Sequence, residues 1–317
     1  MQRFEVISRF FLALAASLFL FIGGISLPPL GVILLPFVAQ PVLVYSLKYG
    51  IGGGLGILCV AMMLLVFFAA EELALIYGIF AVLAGLLLGL LGRIRTIEYL
   101  VVGVATVLLT LTALLSLYFY GSWSAMSQDL HAGLTAQLAS ALRVQEKLAL
   151  PQESLEILKG QTPQIVETIL RLLPALLFLS FAFVALLNIL YLGRRFPERR
   201  ARWFSLQHLR EWKGPEPLVW GFIASGFALF VPGVAGARPV AFNLLLVIGA
   251  CYFAQGLAVI AYFFHKNKVP RFLRGLTYVL IIFQQIFTLL VVALGLFDLW
   301  GDFRRLGKDR LTPSQAS

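Results

Sequence analysis

Cysteine, histidine and charge are all scarce in this chain, and each shortage removes a class of function. The two cysteines, Cys59 and Cys251, lie far apart inside apolar stretches, where a free thiol behaves as a small hydrophobe. They give no disulfide framework and no cysteine-based metal motif. His131, His208 and His265 are too scattered to assemble a metal cluster or a proton relay. No Ser-His-Asp or Cys-His set has supporting spacing, so an enzyme is not expected, and neither a metal nor a cofactor is implied. Charged residues make up only 13% of the chain and hydrophobic residues 60%. A soluble domain carries about 25% charge to cover its surface, so a water-soluble fold of this composition would aggregate.

What is present is a succession of long uncharged runs. Crossing roughly 30 Å of hydrocarbon at 1.5 Å per residue takes about 20 residues, and inside lipid each run must satisfy its own backbone polar groups as a helix. Residues 10 to 47 carry no charge, and Pro28-Pro29 divides them into Phe10 to Ser26 and Leu30 to Leu47. Further spans are expected at Ile51 to Ala70, Leu73 to Leu91, Tyr99 to Tyr120, Ile169 to Leu192, Pro217 to Val231, Val240 to Phe264 and Gly275 to Phe297. The fold class is therefore all-α, a polytopic membrane bundle of about eight or nine transmembrane helices. The weakest of these is Pro217 to Val231, which is short and runs into Pro232-Gly233. The start, with Arg3 and Arg9 before an apolar run, is similar to a signal peptide, but the apolar stretch continues into a second span without a small-x-small cleavage site.

The net charge of +10 does not point to nucleic acid, because Lys and Arg cluster in short loops as the positive-inside rule demands. With the N-terminus in the cytoplasm, that side receives Arg3, Arg9, Lys48, Arg93, Arg95, seven basic residues from Arg194 to Lys213, and Lys266, Lys268, Arg271 and Arg274. The opposite loops hold only Arg143, Lys147, Lys159 and Arg238. This places the protein in a bacterial cytoplasmic (inner) membrane, surrounded by membrane lipids. Nine crossings would leave Arg304, Arg305, Lys308 and Arg310 outside, so either the tail is external or one late segment fails to cross.

Two domains are expected: residues 1–193 as a six-helix bundle, and residues 194–317 as a basic loop, two or three more spans and a polar tail. The first carries an outer-face insert at 121–168, in which Leu130, Leu134, Leu138, Leu142, Val144 and Leu148 form an apolar stripe opposite Gln137, Arg143, Glu146 and Lys147. The glycines Gly50, Gly52, Gly53, Gly54 and Gly56 lack phosphate-loop spacing. Gly50, Gly52, Gly54 and Gly56 on the third span, with Ala81, Gly85 and Gly89 on the fourth, instead read as small-residue stripes that let helices pack closely. Among ionisable groups, Glu71, Glu72 and Arg171 lie at the ends of spans, where Arg171 and Glu71 are candidates to meet an anionic ligand or each other. The amides Gln40, Asn188, Asn243, Gln255, Gln284 and Gln285 are suited to join helices.

Several stretches carry a resemblance. Leu209-Arg210-Glu211-Trp212-Lys213, with Pro215 and a span opening Leu218-Val219-Trp220, is similar to a signature of the YybS-like family of predicted bacterial membrane proteins. Tyr262-Phe263-Phe264-His265 and the closing run Gly295 to Arg305, with Asp298, Asp302, Arg304 and Arg305, resemble that family's other motifs. The family has no known activity. The first six spans, with Pro36, Gln40 and Pro41 leading to a glycine-rich third helix, also resemble the S-components of energy-coupling-factor vitamin transporters and the MreD shape-determining proteins. That likeness implies six helices with both ends inside.

Two readings follow. The first is a small-molecule binding or transport subunit, in which Gln40, Glu71, Arg171 and Asn188 contact the ligand. The second is a scaffold for cell-envelope assembly, in which Arg210, Glu211, Trp212 and Lys213 bind a membrane or cytoplasmic protein partner, since Trp and Arg are favoured interface anchors.

Overall fold

The computed structural model describes residues 2–94, 96–147, 152–199, 206–230 and 236–304. These residues are helical almost throughout: α1 (Gln2–Ser26), α2 (Pro28–Leu34), α3 (Gln40–Tyr49), α4 (Ile51–Phe68), α5 (Glu71–Leu90), α6 (Ile97–Tyr120) and α7 (Trp123–Lys147) are followed by α8 (Gln152–Arg195) and α9 (Leu206–Glu211). Then come α10 (Leu218–Ala228), α11 (Ala237–Lys266), α12 (Arg271–Phe283) and α13 (Gln285–Gly301). The chain packs as two units, residues 1–129 with 177–204 and residues 130–176 with 205–317. Residues 130–176 thus group with the C-terminal segment rather than with the first six spans.

In the described residues, seven helical stretches are long and apolar enough to cross a membrane, and α12 with α13 makes an eighth if counted as one broken span. The count meets the lower end of the eight or nine expected, and two of the nine candidate stretches differ from a full continuous span. At about 1.5 Å per residue, the 11 residues of α10 reach roughly 16 Å and fall short of the hydrocarbon core. The stretch expected as one helix from Gly275 to Phe297 is bent by 104° at Gln284, whose backbone is extended.

The solvent these helices are built for is visible on their outer faces. Phe68 is 84% exposed, Phe230 83% and Phe272 82%, far more apolar surface than water tolerates on a monomer and what lipid requires.

The core of the first unit forms where α1, α3, α4 and α5 meet. Phe21 packs edge-on against Tyr77 at 5.2 Å between ring centroids, and Ser17 Oγ lies 2.8 Å from both the Tyr77 hydroxyl and the Val38 carbonyl. The turn from α3 into α4 passes through Gly50 at φ 111°, a conformation that a side chain would strain. The close approach on α4 is made by Gly53 and Gly54, where a Cβ would run into Tyr45 and Ser46 of α3. Gly85 and Gly89 on α5 have nothing within 4 Å of a Cβ, and neither do Gly50 and Gly52. The glycines therefore serve the α3–α4 turn more than a contact between α4 and α5.

In the second unit the long α11 is the spine. The short α10 lies along its first half, with Gly221 against Ile248 and Phe222 edge-on to Tyr252. Antiparallel α13 lies along its second half, with Gly256 against Val291 and Gly295 against Tyr252. Both glycines abut backbone, so neither helix could carry a Cβ at the crossing. The proline-interrupted α8 is also repaired here. Pro174 distorts the helix, and the Asn243 amide inserts between the Arg171 carbonyl and the Ala175 N–H, donating to one at 2.7 Å and accepting from the other at 2.9 Å.

Candidate functional site

The start of α10 and the end of α13 converge on the same turn of α11, near Tyr252 and Gln255, and a buried charged cluster sits there. It begins with Asp298, fully buried one turn before the end of α13. The helix stops at Asp302, which adopts the left-handed conformation at φ 34°, a place where Asp is better tolerated than most side chains. This turn brings Arg304 back over the helix end. Its Nη2 donates to Asp298 Oδ2 at 2.7 Å, with both side chains wholly shielded from solvent.

The rest of the cluster comes from the segment after α9. Arg304 donates to the carbonyls of Arg210 at 2.7 Å and Trp212 at 3.0 Å. Lys213 pairs with Asp302 at 2.7 Å. Gln255 of α11 bridges the two segments, donating to Asp298 Oδ2 at 3.2 Å and accepting from the Gly214 N–H at 3.0 Å. Two polar atoms at its centre, Asp298 Oδ1 and Arg304 Nε, have no hydrogen-bond partner among the described residues, and neither does the nearby Tyr252 hydroxyl. A buried ion pair with spare hydrogen-bonding capacity is costly to maintain, because taking two charges out of water carries several kcal/mol per ion. The arrangement can hold a proton, a water or a small polar group.

The contacts also dispose of nine alternating crossings, which would put residues 210–213 and Arg304 on opposite faces of the membrane; they lie within hydrogen-bonding distance of each other.

The residues expected to bind a partner are thus used within the chain. Backbone carbonyls of Arg210 and Trp212 hold Arg304, Lys213 holds Asp302, and Glu211 is half-buried beside them. Of the residues expected to contact a ligand, Gln40 and Asn188 meet in the first unit. Gln40 Nε2 donates to the Asn188 side-chain oxygen at 2.9 Å, and Asn188 Nδ2 donates to the Pro36 and Val184 carbonyls. Gln40 Oε1 is buried without a hydrogen-bond partner among the described residues. Glu71 is exposed in the first turn of α5, and Arg171, in the second unit, is exposed and paired with Glu167 one turn earlier on the same helix. Replacing Asn188 by leucine should cost about 1–3 kcal/mol, the usual penalty for stranding a buried polar partner, read as earlier thermal unfolding in detergent.

In the sequence Asp298 stands only as a letter of a motif and Arg304 as a letter of the same motif and a basic residue of the tail, with nothing to pair them. The signal was present. Asp298 is the one charge in an otherwise apolar stretch from Leu276 to Gly301, and an acidic group there must be paid back by a nearby cation.

Continuous apolar helices with lipid-facing aromatics and polar groups gathered inside define a polytopic α-helical membrane protein. Comparison with known proteins is consistent with that class and more specific. A family model described as "Predicted membrane protein (DUF2232)" matches residues 13–299, and the chain belongs to that family. It is also 23% identical over 290 residues to the uncharacterized protein YybS of Bacillus subtilis (strain 168), covering 86% of this chain and 88% of that one. No solved structure matches.

Proposed function

We propose that the protein is a small-molecule binding or transport subunit of the bacterial cytoplasmic membrane, with its N-terminus inside and its working centre at the Asp298–Arg304 cluster. The observation that carries this reading is the meeting of two half-length or broken helices, α10 and the α12–α13 pair, at a buried charged group on a continuous helix. Ionisable groups in membrane segments are costly and mark substrate or ion paths, and discontinuous helices are where transport proteins place them. Asp298 Oδ1 and Arg304 Nε keep hydrogen-bonding capacity that no other described residue uses, and a bound polar group would take it up. The orientation rests on the basic loops, above all the run from Arg194 to Lys213.

The test is mass spectrometry of the protein extracted natively, beside a Gln255→Leu variant that keeps the ion pair but removes the amide. The expected result is a non-lipid small molecule retained by the wild type and lost from the variant at unchanged helix content. A wild-type protein that carries lipid alone sinks the reading.

A further inference from the structure

The corner between α11 and α12 turns the chain away from the direction of the spans. α11 stops at Lys266, and Lys268 adopts the left-handed conformation at φ 50°, so that the Val269 N–H closes the helix on the Phe264 carbonyl at 3.0 Å. Arg274, in the first turn of α12, fastens the two helices together. Its guanidinium donates to the Val269 carbonyl at 2.8 Å and to the Phe264 carbonyl at 3.2 Å. Tyr278, one turn on, meets the Phe264 ring edge-on. The far end of α12 is held as well, because the Thr288 hydroxyl of α13 donates to the Ile281 carbonyl at 2.7 Å across the bend.

These contacts fix the direction of α12. It meets α13 at 104°, a little past a right angle. α13 lies antiparallel on α11 with Val291 against Gly256, so its first residue, Gln285, is level with about residue 262, close to the end of α11. α12 therefore begins and ends near the same end of α11. A straight helix of 13 residues, roughly 20 Å long, can do that only by running crosswise. Where α11 crosses the membrane, α12 lies in its plane.

The two sides of α12 differ. Phe272, Leu273, Leu276, Val279, Leu280 and Phe283 form one exposed apolar arc, while Arg274, Tyr278 and Ile281 turn towards the protein. At its start stand Lys266, Lys268 and Arg271, all exposed. A helix of this kind beds its apolar side at the boundary of headgroups and acyl chains, and cations beside it favour anionic headgroups. We infer that α12 is an in-plane anchor rather than half of a span, and that Lys266, Lys268 and Arg271 bind the anionic lipid of the leaflet in which it lies. The inference uses no residue of the Asp298 cluster, so its failure would leave the transport reading standing.

The test uses the full chain with Cys59→Ala and Cys251→Ala, carrying a small fluorophore at Leu273→Cys or Leu280→Cys, in vesicles of phosphatidylcholine mixed with phosphatidylglycerol. The two positions share one face of α12, two turns apart. Lipids brominated at successive acyl positions quench each label according to its depth. Equal depths are expected; a helix crossing the bilayer would separate them by about 10 Å, and that result overturns the inference. Labels shielded from brominated lipid of either headgroup would mean that protein covers the face, which overturns it too. Headgroup choice is read at Leu273→Cys as quenching by brominated phosphatidylglycerol against brominated phosphatidylcholine. Replacing Lys266, Lys268 and Arg271 together by glutamine should reduce the local preference for phosphatidylglycerol by about fivefold or more, the effect of a single charge at an anionic surface. An unchanged preference at the wild-type unfolding temperature overturns the lipid assignment. The depth measurement leaves the basic residues in place, so it decides the in-plane placement even if the triple variant does not fold.

Discussion

Replacing Asp298 by alanine is expected to destabilise the C-terminal unit by about 3–5 kcal/mol, the scale seen when one partner of a buried ion pair is removed. The cost lies on the survivor. The Arg304 side chain has no exposed surface, so its charge cannot find water where it stands, and the Arg210 and Trp212 carbonyls only partly replace the lost carboxylate. At about 2–4 °C per kcal/mol for a unit of this size, the unfolding temperature in detergent should fall by roughly 10 °C. The double replacement Asp298→Leu with Arg304→Met should recover much of that loss, because it removes both charges, although it strands the two carbonyls. Wild-type unfolding by the single variant would show that water reaches the pair, and the account of the site would fall with it.

The second large effect is steric. Gly295→Leu should push α13 off α11, because a Cβ at Gly295 would meet the Tyr252 carbonyl and the Gly256 backbone nitrogen, neither of which has a rotamer to change. Overpacked cores lose about 1–3 kcal/mol when side chains can yield, and backbone cannot, so the upper end is expected. The same crossing holds Gln255 and Asp298 in register, so the cluster should be lost together with the stability. Gly85→Leu is the matched control, with nothing within 4 Å of its Cβ. Its effect should stay within about 0.5 kcal/mol. Equal unfolding temperatures for the two variants would mean that the close crossing contributes nothing.

The fold was largely legible in the sequence because lipid enforces a simple rule: a long uncharged run has no other way to satisfy its backbone than as a helix. The second to fifth spans are legible in this way to within two residues, while the first and sixth helices begin six and ten residues earlier than their uncharged runs. The last third resisted because length and hydropathy report only that a segment is apolar, not that it is continuous. Nothing in the composition of Gly275 to Phe297 announces a bend at Gln284, whereas the shortness of α10 is already legible where Pro217 to Val231 runs into Pro232-Gly233. The site was legible as parts without their relation. Two motifs separated by some eighty residues of apolar chain turned out to be one cluster, and the link between them, Gln255, had been read as one inter-helix amide among six. Long-range pairing of this kind leaves no periodicity to read.

Arg304 lies just beyond α13 and yet grips carbonyls from a loop made long before it. During synthesis those carbonyls must wait until the whole of the last helix has left the ribosome and entered the bilayer. A chain ending at Asp298 would keep that acid in the helix without the cation that pairs with it.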